Sequence, residues 1–470
     1  MDPTQHLGSR SRRLNLGKGI AWGDLSIPKS RKRILPAAHR KPTWSRRALA
    51  ILTVVVVVAS YPFVRAVDRA TTAPAVSPAA VSTGLHRTTG TPAMPQIVRR
   101  GTALRRVNPA TPSRFLPGNY RFTGVDAYEL NSLWSDNVGC GPQQSDAQLA
   151  SLFSRLGPGA VVRVWFFQQF ATNRNDGALD WTALDRTVAI AAAHRVRLIA
   201  TLANQDGTCD DGIWKAPSWY GGGFRSSDGV SGLSYLGWVQ MVTARYSPSP
   251  AILAWEPMNE PRPDTCTVEG DCWNHRVCPD SLAARNDLRS FYDDVGRVIR
   301  AADPNRLISD GAPPVLGCGT ASWADMAFLG ASAGIDLLSY HEYSGFEPMA
   351  DSAVMVREAL TDADNKPMFV GERGGVNASP TAFAGQVCPL QSDRASSFEA
   401  EISSDFRRLP ALVGWLFWDA MPGPGDAAPS CEYATWVGDP LIDMLRGEGV
   451  RLNRWPTAVK APPYAGILVR

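Results

Sequence analysis

From about residue 120 the chain repeats one alternation: a short apolar run, a polar loop, an amphipathic helix. That alternation limits the fold more than any other feature. Short apolar runs bounded by turn residues read as strands buried on both faces, with the helices as crossovers between them. Strands are predicted at 121–129, 161–167, 198–203, 251–254, 307–310, 335–340, 368–371 and 412–418, and helices at 146–156, 180–195, 233–245, 282–301, 323–329, 354–360 and 396–407. In the helix over 180–195, Leu184, Val188 and Ala191 share a face and Asp180 is placed to cap the start. The helix over 282–301 stops before Asp303-Pro304. Eight strands separated by helices predict an α/β fold, a single (β/α)8 TIM barrel with inserted loops, over 116–455. A doubly wound sheet gives the same alternation. Polar residues gather at the strand C-terminal ends, where barrels keep their sites, and no Gly-x-Gly-x-x-Gly follows the first strand, so the barrel is preferred.

Ahead of the barrel the composition changes twice. Residues 1–47 hold twelve Lys and Arg against Asp2 and Asp24, a net +10, so the rest of a chain with net charge +4 carries −6. Residues 48–64 (ALAILTVVVVVASYPFV) hold no charge, and their 17 residues meet the lower limit for a membrane-spanning helix. Arg46 and Arg47 abut that run, and the positive-inside rule then puts the basic head in the cytoplasm and everything beyond outside. The expected order is a basic cytoplasmic tail (1–47), a transmembrane signal-anchor helix (48–65), a flexible Pro/Ala/Thr-rich linker (66–115), the barrel (116–455) and a C-terminal tail (456–470). A cleaved, secreted form is the alternative, but 47 residues make a far longer leader than a signal peptide needs. Topology and anionic lipid account for the basic head, so no nucleic-acid partner is expected. All eight cysteines lie beyond the anchor, even in number and on the oxidising side, which predicts disulfides. Cys266, Cys272 and Cys278 lack zinc-site spacing, and only His275 lies near them.

The chemistry gathers at strand ends. Trp255-Glu256-Pro257-Met258-Asn259-Glu260-Pro261-Arg262 puts an amide and an acid at a loop mouth, with prolines that prevent a helix. A carboxyl beside Trp and Pro is expected to be partly desolvated, with a raised pKa suited to a proton donor. Lys366-Pro367-Met368-Phe369-Val370-Gly371-Glu372 is a second strand ending on a glutamate. Two such carboxylates are the minimum equipment for cleaving a glycosidic bond. Arg163, Trp165, Asn204, Asn259, His341, Tyr343, Trp415 and Trp418 stand at other strand ends, and aromatic faces stack on sugar C–H faces.

In that order, Trp-Glu-Pro-Met-Asn-Glu-Pro-Arg, Ser339-Tyr340-His341-Glu342-Tyr343, Phe-Val-Gly-Glu and Gly414-Trp415-Leu416-Phe417-Trp418 resemble the family 5 glycoside hydrolases, which are retaining barrel enzymes. Val161-Val162-Arg163-Val164-Trp165 is similar to the endo-β-mannanase branch in particular. Over about 120–440 the resemblance implies Glu260 as general acid/base and Glu372 as nucleophile. It implies Arg163 as the cation that keeps the nucleophile ionised, Asn259 on the sugar 2-hydroxyl, His341 and Tyr343 supporting the two acids, and Trp418 as platform. Trp165 and Asn204 complete the expected substrate-binding set. The implied substrate is β-mannan, a β-1,4-glucan type polysaccharide or a cell-envelope glycan, cut by an endo-acting monomer with no cofactor and no metal. A catalytically silent carbohydrate-binding barrel is the alternative function, and a third reading takes the basic head as a recruiter of a cytoplasmic partner or lipid.

The sequence departs from that pattern in places. Glu372 is followed by Arg373-Gly374-Gly375, 263–279 is a cysteine-bearing insertion, and Glu342 adds a third carboxyl. Trp415 is read as core, Glu256 as structural, and Asp310 and Asp419 as loop caps.

Overall fold

The computed structural model describes residues 94–453, except 133–139, 142, 174, 227–231, 273, 315–316, 344–364, 375–391 and 428–432. The expected tail, anchor and C-terminal tail and the helix at 354–360 lie outside the described residues. Among those that are described, no helix is long and apolar enough to cross a membrane.

Eight parallel strands form one curled sheet: β4 (Phe122–Asp126), β5 (Val161–Trp165), β6 (Arg197–Thr201), β7 (Ile252–Glu256), β10 (Leu307–Ile308), β11 (Leu338–Glu342), β12 (Met368–Arg373) and β13 (Leu412–Phe417). Each strand lies beside its chain neighbours, and β13 returns to β4 with Phe417 opposite Val125. β10 and β11 meet through a single parallel bridge, Ser309 to Leu337. This is the sheet order of the (β/α)8 fold. Strand period 2 divides the core. Val162 and Val164 pack outward among the helices, whereas Val161 joins Phe122, Ile199, Leu253, Phe369 and Val413 inside the sheet. The same period turns Arg163 inward.

The predicted helices that fall on described residues are present with small shifts. Asp146–Leu156 is capped by Ser145, whose hydroxyl accepts from the Gln148 amide in a capping box. Thr182–His194 buries Leu184, Val188 and Ala191, and Asp180 Oδ1 accepts from the Thr182 amide at 2.9 Å. Ser281–Ala302 ends at Asp303. The strand expected over 121–129 stops at Asp126, and a 3-10 turn, Tyr128–Asn131, carries Tyr128 toward the site. β11 runs to Glu342, so His341 lies within the strand rather than after it.

The linker expectation for 66–115 is corrected where the chain is described. There β1 (Ile97–Arg100), β2 (Ala103–Asn108) and β3 (Thr111–Tyr120) form an antiparallel sheet. Ile97, Leu104 and Tyr120 are buried in the same cluster as the inward side chains of the barrel strands. Arg100 and Arg105 lie 5.0 and 5.3 Å from the Phe115 ring centroid, a cation–π arrangement on the outer face. Sparse apolar residues suffice because they close the end of a barrel rather than build a core of their own. A short hairpin, β8 (Thr265–Cys266) with β9 (Arg276–Val277), forms in the insertion after β7.

Candidate active site

Arg163 is the hub of the site. Its side chain is fully buried, at the sheet's centre. Nε donates to Glu256 Oε1 at 2.8 Å, Nη1 to Asp126 Oδ1 at 2.9 Å and Glu372 Oε1 at 2.6 Å, and Nη2 to Asn259 Oδ1 at 2.6 Å. Burial alone would lower the guanidinium pKa, but the three carboxylates outweigh it and hold Arg163 charged. Three acids around one cation leave excess negative charge, and Asp126 takes up the difference. Burial pushes its carboxyl well above the usual range against the pull of Arg163, and its Oδ2 has no partner among the described residues. Glu256 also accepts from the Thr201 hydroxyl at 2.9 Å and the Ser309 hydroxyl at 2.8 Å, so it is a structural acid, as expected.

Glu372 and Glu260 face each other across His341. The Tyr343 hydroxyl donates to Glu372 Oε2. His341 Nδ1 is 2.8 Å from Glu260 Oε1 and 3.4 Å from Glu372 Oε2. One ligand atom from each of the three residues lies within 4.8 Å of the other two. Such a trio could hold a cation, but the Arg163 guanidinium, 2.6 Å from Glu372, already supplies positive charge there. Glu260 adopts a left-handed backbone with φ 48°, and its amide donates to Gly311 O at 2.8 Å. The approach needs glycine at 311, where a Cβ would lie 1.7 Å from Met258 O. The expected raised pKa of Glu260 is corrected: burial does push it up, but the hydrogen bond and charge of His341, with Arg262 and Arg163, bring it below the usual carboxylate range.

A cleft of about 420 Å³ opens over these groups, with Asn259, Glu260, Glu372, Tyr343, Trp165, Trp418 and Asn204 in its lining. Tyr128 and Trp418 stack at 5.3 Å and 10°, and the Trp165 ring lies 5.9 Å from Trp418. Asn259 Nδ2 donates to Asn204 Oδ1 at 3.0 Å, which fixes the amide whose oxygen faces Arg163. Thus all nine residues singled out in the sequence meet at one place: eight touch the group around the two glutamates or line the cleft directly, and Arg163 supports them from below. Trp415 is core, packed edge-on against Phe398 at 5.4 Å, as expected.

Residues 160–420, more than half of the chain, match the family model described as Cellulase (glycosyl hydrolase family 5). The chain belongs to glycosyl hydrolase family 5. This family 5 chain is 27% identical over 359 residues to a mannan endo-1,4-beta-mannosidase 1 of Oryza sativa subsp. japonica, covering 66% of this chain and 77% of the relative. It is 31% identical over 186 residues to a probable mannan endo-1,4-beta-mannosidase A of Aspergillus oryzae, covering 33% of this chain and 46% of that relative. In fold it resembles an endo-1,4-beta-mannanase from Rhizomucor miehei, with a TM-score of 0.53, 17% identity and coverage of 76% of this chain and 99% of that one.

Several residues of this glycoside hydrolase's site escape sequence reasoning. Asp126 is one, although a charge ending the apolar run Phe122–Asp126 was the available signal. Tyr128, on the 3-10 turn, and Tyr433 line the cleft with no sequence pattern to mark them. Cys140 and Cys209 form a disulfide in the cleft wall. Cys266–Cys272 and Cys278–Cys318 pair in and beside the insertion, while Cys388 and Cys431 lie outside the described residues. Asp419, read as a loop cap, also lines the cleft.

Proposed function

We propose that this family 5 hydrolase is a retaining, endo-acting β-glycosidase in which Glu372 is the nucleophile and Glu260 the general acid/base. The observation that carries the reading is their spacing. Carboxyl oxygens within 4.8 Å fit the ~5–5.5 Å of double displacement and fall short of the ~6.5–9.5 Å that an inverting enzyme needs for its water. Arg163 donates to one oxygen of Glu372 and the Tyr343 hydroxyl to the other, which fixes the carboxylate in place. Glu372 attacks the anomeric carbon while Glu260 gives its proton to the departing glycosidic oxygen. The leaving chain takes that proton, and a glycosyl ester forms on Glu372. Glu260, now a carboxylate beside His341, accepts a proton from water as the water oxygen attacks the same carbon, which frees Glu372 and regenerates the acid. Asn259, tied to Arg163 and Asn204, presents its remaining amide N–H toward a sugar 2-hydroxyl, and Trp418 offers the platform.

The substrate we favour is β-mannan, because the relatives are named mannan endo-1,4-beta-mannosidases. A β-1,4-glucan or a cell-envelope glycan is the next choice. We further propose that residues 48–65 anchor the chain and that the catalytic domain lies outside the membrane, as a monomer. The basic residues before the apolar run and the disulfides beyond it support that placement.

The test is to express the full chain in an oxidising compartment and supply mannan, glucomannan, carboxymethyl cellulose, xylan, galactan and bacterial wall polysaccharide. New reducing ends from wild type, lost in Glu260→Ala and Glu372→Ala, are expected with mannan. A folded wild-type chain that binds a polymer without cutting it would overturn the hydrolytic reading in favour of a carbohydrate-binding barrel.

A further inference from the structure

Asp419 follows the platform Trp418 and faces the cleft beside Glu372, Tyr128 and Tyr433. The residue is only 2% exposed. Its backbone is held on both sides, since its amide donates to Tyr433 O and its carbonyl accepts from the Thr435 amide at 2.7 Å. Its carboxyl is not held in the same way. Its own backbone amide donates to it, while the charge of Glu372 opposes its own.

The charges around it are of one sign. Burial pushes the Asp419 carboxyl up to about 8, Glu372 adds to this, and its own amide opposes it. Glu129, on the 3-10 turn below, is also fully buried and pushed well above the usual range by burial, then by Asp419 and more weakly by Asp426. Glu129 Oε1 accepts from Gln144 Nε2 at 3.1 Å, and its Oε2 has no partner among the described residues. The Tyr128 hydroxyl is held neutral by burial and by both acids. No described cation figures among these neighbours. A buried carboxyl with no cation beside it is costly to ionise and gains from a further hydrogen-bond partner. Here the open side is the cleft.

We propose that Asp419 is a substrate-binding residue, its carboxyl exchanging hydrogen bonds with a hydroxyl of the sugar unit that rests on Trp418. The inference rests on the proposed function, because it takes Trp418 as the platform. A ring stacked on the indole turns its hydroxyls outward at the rim, and Asp419 is the next residue along the strand end. A neutral carboxyl both donates to and accepts from such a hydroxyl, and burial, with Glu372 beside it, favours that form. This gives Asp419 a role that a loop cap does not have.

The experiment measures oligosaccharide binding by calorimetry in the full chain made inactive by Glu260→Ala, using the oligosaccharide that wild type cleaves. Asp419→Ala in that background is expected to weaken Kd by about tenfold or more, the loss of a hydrogen bond to a buried acid. Asp419→Asn, which keeps one donor and one acceptor, is expected to stay within about threefold. Asp419→Leu, similar in shape without the polar atoms, carries the same expectation as alanine and covers the case in which the alanine variant does not fold. Kd within about twofold of the parent in the alanine or leucine variant overturns the proposal. So does a thermal midpoint that drops with Kd unchanged, which would make Asp419 purely structural. If wild type cleaves no oligosaccharide at all, the proposed function falls first and this inference with it, an outcome visible before any Asp419 variant is made.

Discussion

His341 Nδ1 and Glu260 Oε1 lie 2.8 Å apart, although the residues are 81 positions apart in the chain. The contact reverses what burial alone would do to the acid. With Glu260 as the proposed acid, kcat/KM requires it protonated in the free enzyme, so activity is expected to fall as pH rises through the Glu260 pKa. His341 lowers that pKa. His341→Phe leaves the burial and removes the opposition, so the alkaline limb of the kcat/KM profile is expected to move to higher pH. A pH–rate profile of the variant checks this, and a limb that stays in place would separate His341 from the acid.

The two glutamates predict different products in the presence of azide. Glu260→Ala is expected to lower kcat/KM on polysaccharide by about 10²–10⁴-fold, the usual worth of a general acid. With an activated leaving group the ester on Glu372 still forms, and azide then gives a β-glycosyl azide. In Glu372→Ala azide occupies the vacated side and gives the α product. Proton NMR of the anomeric centre distinguishes them, and an α product from Glu260→Ala would exchange the two roles.

The sheet at the barrel end predicts a separation of stability from chemistry. Leu104 is wholly buried among the inward side chains of the strands, far along the barrel from the strand ends that carry the glutamates. Leu104→Ala is expected to cost about 2–5 kcal/mol of stability, the range for a cavity left in a core. Turnover of the folded fraction at room temperature should stay near wild type. Denaturant unfolding followed alongside activity measures both.

Asp310 predicts a pH-dependent stability. Its carboxyl is pushed up to about 7 by burial, against hydrogen bonds from the Ser339 and Ala312 amides, while an unfolded aspartate sits near ~3.9. Between those values the folded chain holds a proton that the unfolded chain has lost, so this group's contribution falls as pH rises. Asp310→Asn keeps Oδ1 for the two amides, which lie at 2.7 and 3.2 Å in the wild type. The variant is expected to gain thermal midpoint relative to wild type on going from about pH 5 to about pH 8. An unchanged difference between the two pH values would show that Asp310 does not titrate in that window.

Legibility followed locality. β5 and β12 were readable because short, largely apolar runs bury both faces of a strand, Glu372 because it closes such a run, and Glu260 because it follows one within the Pro-bounded Asn259-Glu260 loop. The helix over Ser281–Ala302 was readable because Asp303-Pro304 stops it. What depended on distant partners was not readable. Nothing around Glu260 in the chain announces His341, so the sign of its pKa shift came out reversed. Ile97 and Leu104 look isolated in an Ala-, Thr- and Pro-rich stretch, and only the open end of the barrel gives them something to cover. Asp126 and Tyr128 lie beside the expected site because β4 ends three residues sooner than its apolar run suggested.

Arg163 ties the two levels together in one side chain. It spans three carboxylates and an amide contributed by β4, by β7 and the loop after it, and by β12, with no solvent at its head group. Glu372, the proposed nucleophile, is therefore positioned by the same contacts that knit the strands. Replacing Arg163 would disturb the joining of the strands and the setting of Glu372 in one step, whereas the cleft walls can change without touching either.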